Sequence, residues 1–434
     1  MIKKNKNINC IAPSSKVLLK NGKILDILNG KTSIKDILIS DGNIVEMGKI
    51  ENDKKYITID CDKKIITQAF IDVHAHLRSP GIGDQETFIS GSEAALAGGY
   101  SKICVMPDNN PVIDNAELIE SIINQASSLP VSIHPIGAIT KGLKGSDLAE
   151  LGSMITAGAV AISDAGKPLM NGQVARFAME YAKMFNVPFI NHPEDINLIN
   201  NGSMNESMVS NSLGLAGNPS ISESTMIYRD LEIANYIKGK IHIPNITTSE
   251  SVYLIDRYKN KKTDVSCEVS PQHLFFEDSD LEFYDSNLKI SPPLRGKKDI
   301  EKLIKGLKYG TIDCIASNHS PHRFDDKDKD FYHAKSGVIS LETAFAATHT
   351  ILNQKNFSIR SILNLFSLNP SRIMGFELPN IEIGSQAELV VIDPNKEWTF
   401  KKRNIFSKSE NSPFLNQTFK GKVEFTFNKN IYFG

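Results

Sequence analysis

Cysteine is sparse in this chain of 434 residues: Cys10, Cys61, Cys104, Cys267 and Cys314 are widely scattered and form no CxxC pair. An odd, dispersed set excludes a disulfide framework, offers no cysteine zinc site and suits a reducing compartment. Long hydrophobic runs are missing as well: no stretch of eighteen or more apolar residues occurs, so no transmembrane helix is expected. The basic opening MIKKNKNINCIAPSSKVLLKNG lacks the apolar segment of a signal peptide, and a cytoplasmic protein is the expectation. Excess charge of either sign is also lacking. Lys and Arg number 49 against 50 Asp and Glu, a net charge of -1, which gives no general attraction to nucleic acid or to an anionic membrane. Repeats and low-complexity tracts do not stand out, so partners must be argued from a site.

What is present has two textures. From about Ser15 to Asp62, short apolar runs (VLLKNGKILDI, DILISDGNIVEMG, YITIDCD) alternate with glycine turns, and the same pattern returns after about Ile381 in EIGSQAELVVIDP, EWTFKK and GKVEFTFNKNIYF. Such ends read as small antiparallel strands, and residues 1–64 and 379–434 are expected to pair as one small β-sandwich. Residues 65–378 have another rhythm. Eight apolar runs (AFIDVH, SKICVMP, VSIHPIGAI, AVAIS, VPFINH, KIHIPNI, VSCEVS, IDCIAS) alternate with longer segments whose apolar residues recur every three or four positions. Eight β/α units predict an α/β fold of the (β/α)8 TIM-barrel type. With 41% hydrophobic and 23% charged residues, the chain can bury such a core.

Barrel enzymes carry their chemistry at the C-terminal ends of the strands. His74 and His76 close the first run, Asp164 follows the fourth, His192 ends the fifth, Asn245 the sixth, and Asn318, His319 and His322 follow the eighth. The strongest signal is HAHLR at 74–78. Residues i and i+2 of a strand point the same way, so His74 and His76 can reach one ion; the bland alternative is two histidines in ordinary hydrogen bonds. Their position at the end of the first strand, after Asp72, favours the ion. His192 in INHPED joins them as a candidate ligand. His134 and His242 lie inside apolar runs and read as core histidines, while His273, His333 and His349 carry no separable signal. Arg78 has two open readings: a bidentate grip on a substrate carboxylate, or a salt bridge to a nearby acid such as Asp72 or Glu86.

The segments AFIDVHAHLRSPG, ISDAGKPLMN, INHPED, SPPLRG and ASNHSPH, with LNPSRIMGF and GSQAELVVIDP, resemble dihydroorotases of the amidohydrolase superfamily from about residue 15 to 430. That resemblance implies the barrel with its sandwich and a zinc site of one or two ions. It also implies the reversible closure of N-carbamoyl-L-aspartate to dihydroorotate in pyrimidine biosynthesis. It assigns His74, His76 and His192 as metal ligands, Arg78 and His322 as contacts to a small carboxylate substrate, and Ser336 and Gly337 as the loop pair over the substrate.

The departures from the family pattern are concentrated at the same rim. Ala165 stands where the family has a bridging aspartate, Asn245 where it has a histidine, and Asn318 where it has the aspartate that binds metal and moves the proton. Asp108 and Ser291 replace substrate-binding asparagines, and Asp164 is the nearest substitute ligand for the gap at Ala165. A neutral amide at Asn318 cannot act as general base. Two classes of function follow: a catalytically impaired dihydroorotase, with allantoinase or hydantoinase chemistry as a variant, or a non-catalytic scaffold that assembles as a homodimer or with aspartate transcarbamoylase.

Overall fold

The computed structural model describes residues 8–10, 15–81 and 83–434. Each of the eight apolar runs contains a strand: β1 (Phe70–Ala75), β2 (Tyr100–Val105), β3 (Ser132–Pro135), β4 (Ile162–Ser163), β5 (Phe189–Ile190), β6 (Ile241–Ile243), β7 (Val265–Val269) and β8 (Cys314–Ile315). Every residue of β1 is buried, as a continuous apolar run requires when both faces of a parallel sheet are covered. The strands form an α/β structure with two parallel sheets, one of β1 to β3 and one of β4 to β8, each in chain order. At the seams between them stand two single parallel bridges, Gly137 with Ile162 and Ala75 with His319. The amide of His76 donates to the His319 carbonyl at 2.8 Å, and that of Gly137 to the Ala161 carbonyl at 3.0 Å.

The connecting helices form where the sequence places caps and an apolar stripe. Ala116–Ala126 begins at Asn115, whose side chain accepts from the Leu118 amide, and it buries Ile119, Ile122 and Ala126 on one face. Lys297–Tyr309 buries Leu303, Ile304 and Leu307 and ends at Gly310, whose φ of 78° is the left-handed conformation that glycine adopts without strain.

The two ends of the chain meet in two further sheets. One has four strands, Asn43–Gly48, Asp36–Ser40, Lys16–Lys20 and Tyr56–Asp60; the other has seven and includes Ile65–Gln68, Leu389–Thr399 and Thr418–Asn428. Val17, Leu19, Ile37 and Ile39 share a core with Ile66, Leu389, Val391 and Phe427. The alternate residues Ile65, Val390 and Ile392 face the other way, into the large core with Phe70, Tyr100 and Ile103. Ile65–Gln68, expected with the middle of the chain, pairs antiparallel with Leu389–Ile392 and runs through Ala69 directly into β1. Residues 1–7 and 11–14 of the first stretch lie outside the described residues, as does the side chain of Cys10. Cys61, Cys104, Cys267 and Cys314 are buried free thiols, and among the described residues no helix is long and apolar enough to cross a membrane.

Candidate active site

A cavity of about 370 Å³ opens at the C-terminal ends of the parallel strands. His74, His76, Arg78, Asp108, Asp164 and His192 line it, and so do Asn245, Ser291, Asn318, Ser336 and Gly337. Of the candidate residues only Ala165 and His322 are not in its wall; Ala165 is buried between two residues that are, Asp164 and Gly166.

The histidines are held from behind by carboxylates. His74 Nδ1 lies 2.6 Å from Glu268 Oε1, and the other oxygen of Glu268 lies 3.0 Å from His242 Nε2. His242 is in turn fixed through Nδ1 to Ser266 Oγ at 2.8 Å, so this buried histidine belongs to the wall behind the site. His76 Nδ1 lies 2.7 Å from Asp108 Oδ1, and the His74 and His76 rings are 5.2 Å apart. An imidazole that donates Nδ1–H to a carboxylate leaves its Nε2 lone pair for a metal, the usual support for a histidine ligand. Burial pushes the His76 ring down to about 4 despite the pull of Asp108, so it is neutral and able to coordinate at pH 7. Burial alone would also lower His74, but Glu268 raises it. On Glu268 burial is overcome by His74 and His242, which bring the carboxyl down to about 2. His192 uses its Nε2 on Glu194 Oε2 at 2.6 Å. Burial would raise Glu194, but hydrogen bonds from His192, Ser291 and Asn218 hold it at about 2.

Arg78 makes a salt bridge, with Asp108 as the acid. Its Nη1 pairs with Asp108 and its Nη2 donates to Ser320 Oγ at 2.8 Å, while Nε is buried without a partner. Asp72, one expected partner, instead accepts from Ser317, and Glu86, the other, bonds His319, Ser90 and Ser407. Asp108 is therefore occupied on both oxygens, by His76 and by Arg78. These two overcome its burial and hold its carboxyl well below the usual range.

His322 stands beside the cavity wall, with Nε2 3.5 Å from Ser320 Oγ. Its Nε2 is 2.8 Å from the Ser336 carbonyl, its Nδ1 is buried without a partner, and the ring borders a neighbouring cavity with Arg323 and Lys327. The ring thus packs against Ser336 and Gly337, which line the main cavity. Asp164 is also committed elsewhere. Its Oδ1 accepts from the Ile139 and Thr140 amides at 2.8 and 2.9 Å, and its Oδ2 from Thr140 Oγ1 at 2.5 Å. Only the second lone pair of Oδ2 is left for a substitute ligand.

Ala165 offers no donor atom. Asn245 reaches His74 Nδ1 at 3.4 Å through Nδ2 and leaves its Oδ1 buried without a partner. The donor chemistry fits one divalent ion at His74 and His76, with His192 on the same wall; it lacks the bridging anion that two neighbouring dications require. His242, Glu268 and Cys314 also cluster, with ligand atoms within 4.8 Å of one another. There both Glu268 oxygens are taken, and burial raises the Cys314 thiol well above its usual value, so the trio is a hydrogen-bonded buttress.

Sequence reasoning missed Glu268, Glu194, Ser320 and Lys167. Glu268 had a signal, as the one charged residue in the buried strand VSCEVS, and Glu194 lies two residues after His192. Lys167, at the cavity mouth, had none.

A family model described as dihydro-orotase-like matches residues 63–251. A dihydroorotase of Caldicellulosiruptor saccharolyticus is 41% identical over 412 residues, 94% of this chain and 96% of the relative. One of Ruminiclostridium cellulolyticum is 39% identical over 413 residues, 95% of this chain and 96% of the relative. Among solved structures, an L-hydantoinase (dihydropyrimidinase) from Arthrobacter aurescens aligns with a TM-score of 0.83 at 22% identity, covering 95% of this chain and 94% of that one. A dihydropyrimidinase from Brevibacillus agri NCHU1002 aligns at 0.81 and 19%, covering 96% and 94%. At such identities the structural likeness speaks for the fold alone.

Proposed function

This chain belongs to the dihydroorotase family of cyclic amidohydrolases, and from that premise we propose that it is a catalytically impaired member, able to hold one zinc ion but poorly equipped to move the proton. The observation that carries this reading is spatial: Asn318 and Asn245 line the same cavity as His74, His76 and His192, so the gaps and the surviving ligands share one site. Eight strands closing as a (β/α)8 barrel over residues 65–378 is part of the proposal, supported by the two bridges at the seams. A small sandwich domain from residues 1–64 and 379–434 is likewise part of the proposal, supported by the core that Val17, Leu19 and Ile37 share with Leu389 and Val391. A cytoplasmic location is supported by four buried free thiols.

Zinc, when bound, supplies Lewis-acid polarisation of an amide carbonyl and a lowered water pKa. His74 and His76 would hold it, with Glu268 and Asp108 fixing the rings and His192 nearest at hand. Asn318 stands where a base is needed and has no basic site. Loss of such a group costs about a hundredfold to ten-thousandfold in rate. The test is metal quantification on the purified chain beside hydrolysis of dihydroorotate, with Asn318→Asp as rescue. About one zinc per chain, slow turnover and a gain of at least tenfold in the variant are expected, tenfold being a small part of that loss. No gain would show that Asn318 is not the principal lesion.

One observation favours assembly as a second reading. Phe177, Tyr181 and Met184 form an exposed stripe on Gly172–Met184, beside exposed Tyr236, over whose ring the Arg176 guanidinium sits. Apolar stripes of this kind mark docking faces, for a second copy or for aspartate transcarbamoylase. A metal-poor chain that co-purifies with a transcarbamoylase would favour that role.

A further inference from the structure

Among the described residues Arg78 is the only arginine in the cavity wall, and a guanidinium there would ordinarily draw a carboxylate. Here each outer nitrogen already makes one hydrogen bond, Nη1 to Asp108 Oδ2 and Nη2 to Ser320 Oγ, and Nε is buried. Asp108 is also tied at its other oxygen, 2.7 Å from His76 Nδ1, so it is anchored at two points. An incoming carboxylate must share the guanidinium with a carboxylate that is already well placed, at the cost of like-charge repulsion.

The wider field works the same way. Asp108 and Asp164 line the cavity against Arg78 and Lys167, and Glu194 and Glu268 stand directly behind His192 and His74. The wall itself is balanced, two carboxylates against two cations, and the two further carboxylates behind the histidines tilt the field toward a metal ion and against an anionic ligand. Asn318 offers the complementary chemistry. Its side-chain amide faces the cavity and has no hydrogen-bond partner among the described residues. A free carboxamide can both donate to and accept from a ring amide.

We propose that Asp108 is a specificity-determining residue: an internal counter-ion that closes Arg78 to carboxylates and makes the cavity selective for an uncharged cyclic amide. This rests on the cyclic-amidohydrolase reading above and adds the charge class of the ligand.

Two probe rings that differ by one carboxylate, dihydrouracil and dihydroorotate, test it by calorimetric titration of the full-length protein as purified. Dihydrouracil is expected to bind about tenfold or more tighter, a modest effect for an unfavourable charge juxtaposition. Asp108→Asn should improve dihydroorotate binding by about tenfold and leave dihydrouracil nearly unchanged, and adding Arg78→Met should cancel that gain. The proposal is overturned if the unmodified protein binds dihydroorotate at least as tightly as dihydrouracil, or if Asp108→Asn leaves dihydroorotate binding where it was. Should Asp108→Asn fail to fold, Arg78→Met alone decides: an engaged guanidinium predicts no loss of dihydroorotate binding, and a loss overturns the proposal. Binding of neither ring removes the cyclic-amide premise together with the proposal, whereas a reversed order removes the proposal alone.

Discussion

Four side chains around the cavity sit on left-handed backbone: Arg78, Ala165, Asn245 and Asn318, with φ of 55°, 53°, 46° and 51°. Asparagine visits this region readily, but alanine pays about 1–2 kcal/mol for it. Ala165 therefore keeps a strained turn at the end of β4 without supplying the donor atom that would repay it, which points to a site altered after its backbone was set. Aspartate tolerates the same conformation. Ala165→Asp combined with Asn318→Asp is thus expected to raise bound zinc from about one toward two per chain, read by elemental analysis; an unchanged ratio would mean the missing anions are not what limits the second ion. Behind the site, Glu268→Gln removes the charge that fixes His74 and should weaken zinc binding about 10- to 100-fold, the usual cost of losing such a support, measured by competition with a chelator. Affinity within twofold of the parent would remove Glu268 from that role.

Loops set on the strand ends complete the cavity, and one is held by buried cations. Lys327 Nζ donates to the Lys335 and Gly337 carbonyls at 2.7 and 3.1 Å, and Lys289 Nζ to those of Phe331 and Tyr332 at 2.8 and 2.7 Å. These bonds shape the segment that carries Ser336 and Gly337 over the site. Burial, with Lys289 close by, pushes Lys327 down from 10.5 to about 7. Between those two values the unfolded chain binds the proton and the folded chain does not, so this group makes stability rise with pH across that window. Urea midpoints at pH 7 and pH 9 should increase more for the parent than for Lys327→Met; parallel changes would reject the shift. The strands beneath were readable because burial on both faces demands continuous apolar runs, and all eight runs contain one. The contacts between their ends were not readable. Glu268 meets His74 across 194 positions, and Arg78 chose Asp108, 30 positions on, over the nearer Asp72 and Glu86. Periodicity reports which face a residue occupies and says nothing of which partner waits there.

The ends and the middle of the chain share a sheet, and this decides how the protein unfolds. Along Leu389–Thr399, Leu389 and Val391 enter the core between the two end sheets, while Val390 and Ile392 enter the large core with Phe70 and Tyr100. The period of two that made the C-terminal strands recognisable in sequence thus serves two cores at once, something the pattern LVVI could not reveal because both sets are apolar. Ile65–Gln68 repeats the arrangement and leads straight into β1, whose end bears His74, with His76 just beyond. A chain of this size often unfolds in separate steps, yet here neither core can open without stripping one face of the same strands. Leu389→Ala and Ile392→Ala, each a loss of about 2–5 kcal/mol, should therefore lower one common transition although they face different cores. The single tryptophan, Trp398, lies in that strand and reports on the sheet, while far-ultraviolet circular dichroism reports mainly on the helices around the site. Coincident denaturation curves from the two probes are expected in the parent and in both variants. Curves that separate in either variant would show that the end sheets melt as an independent unit.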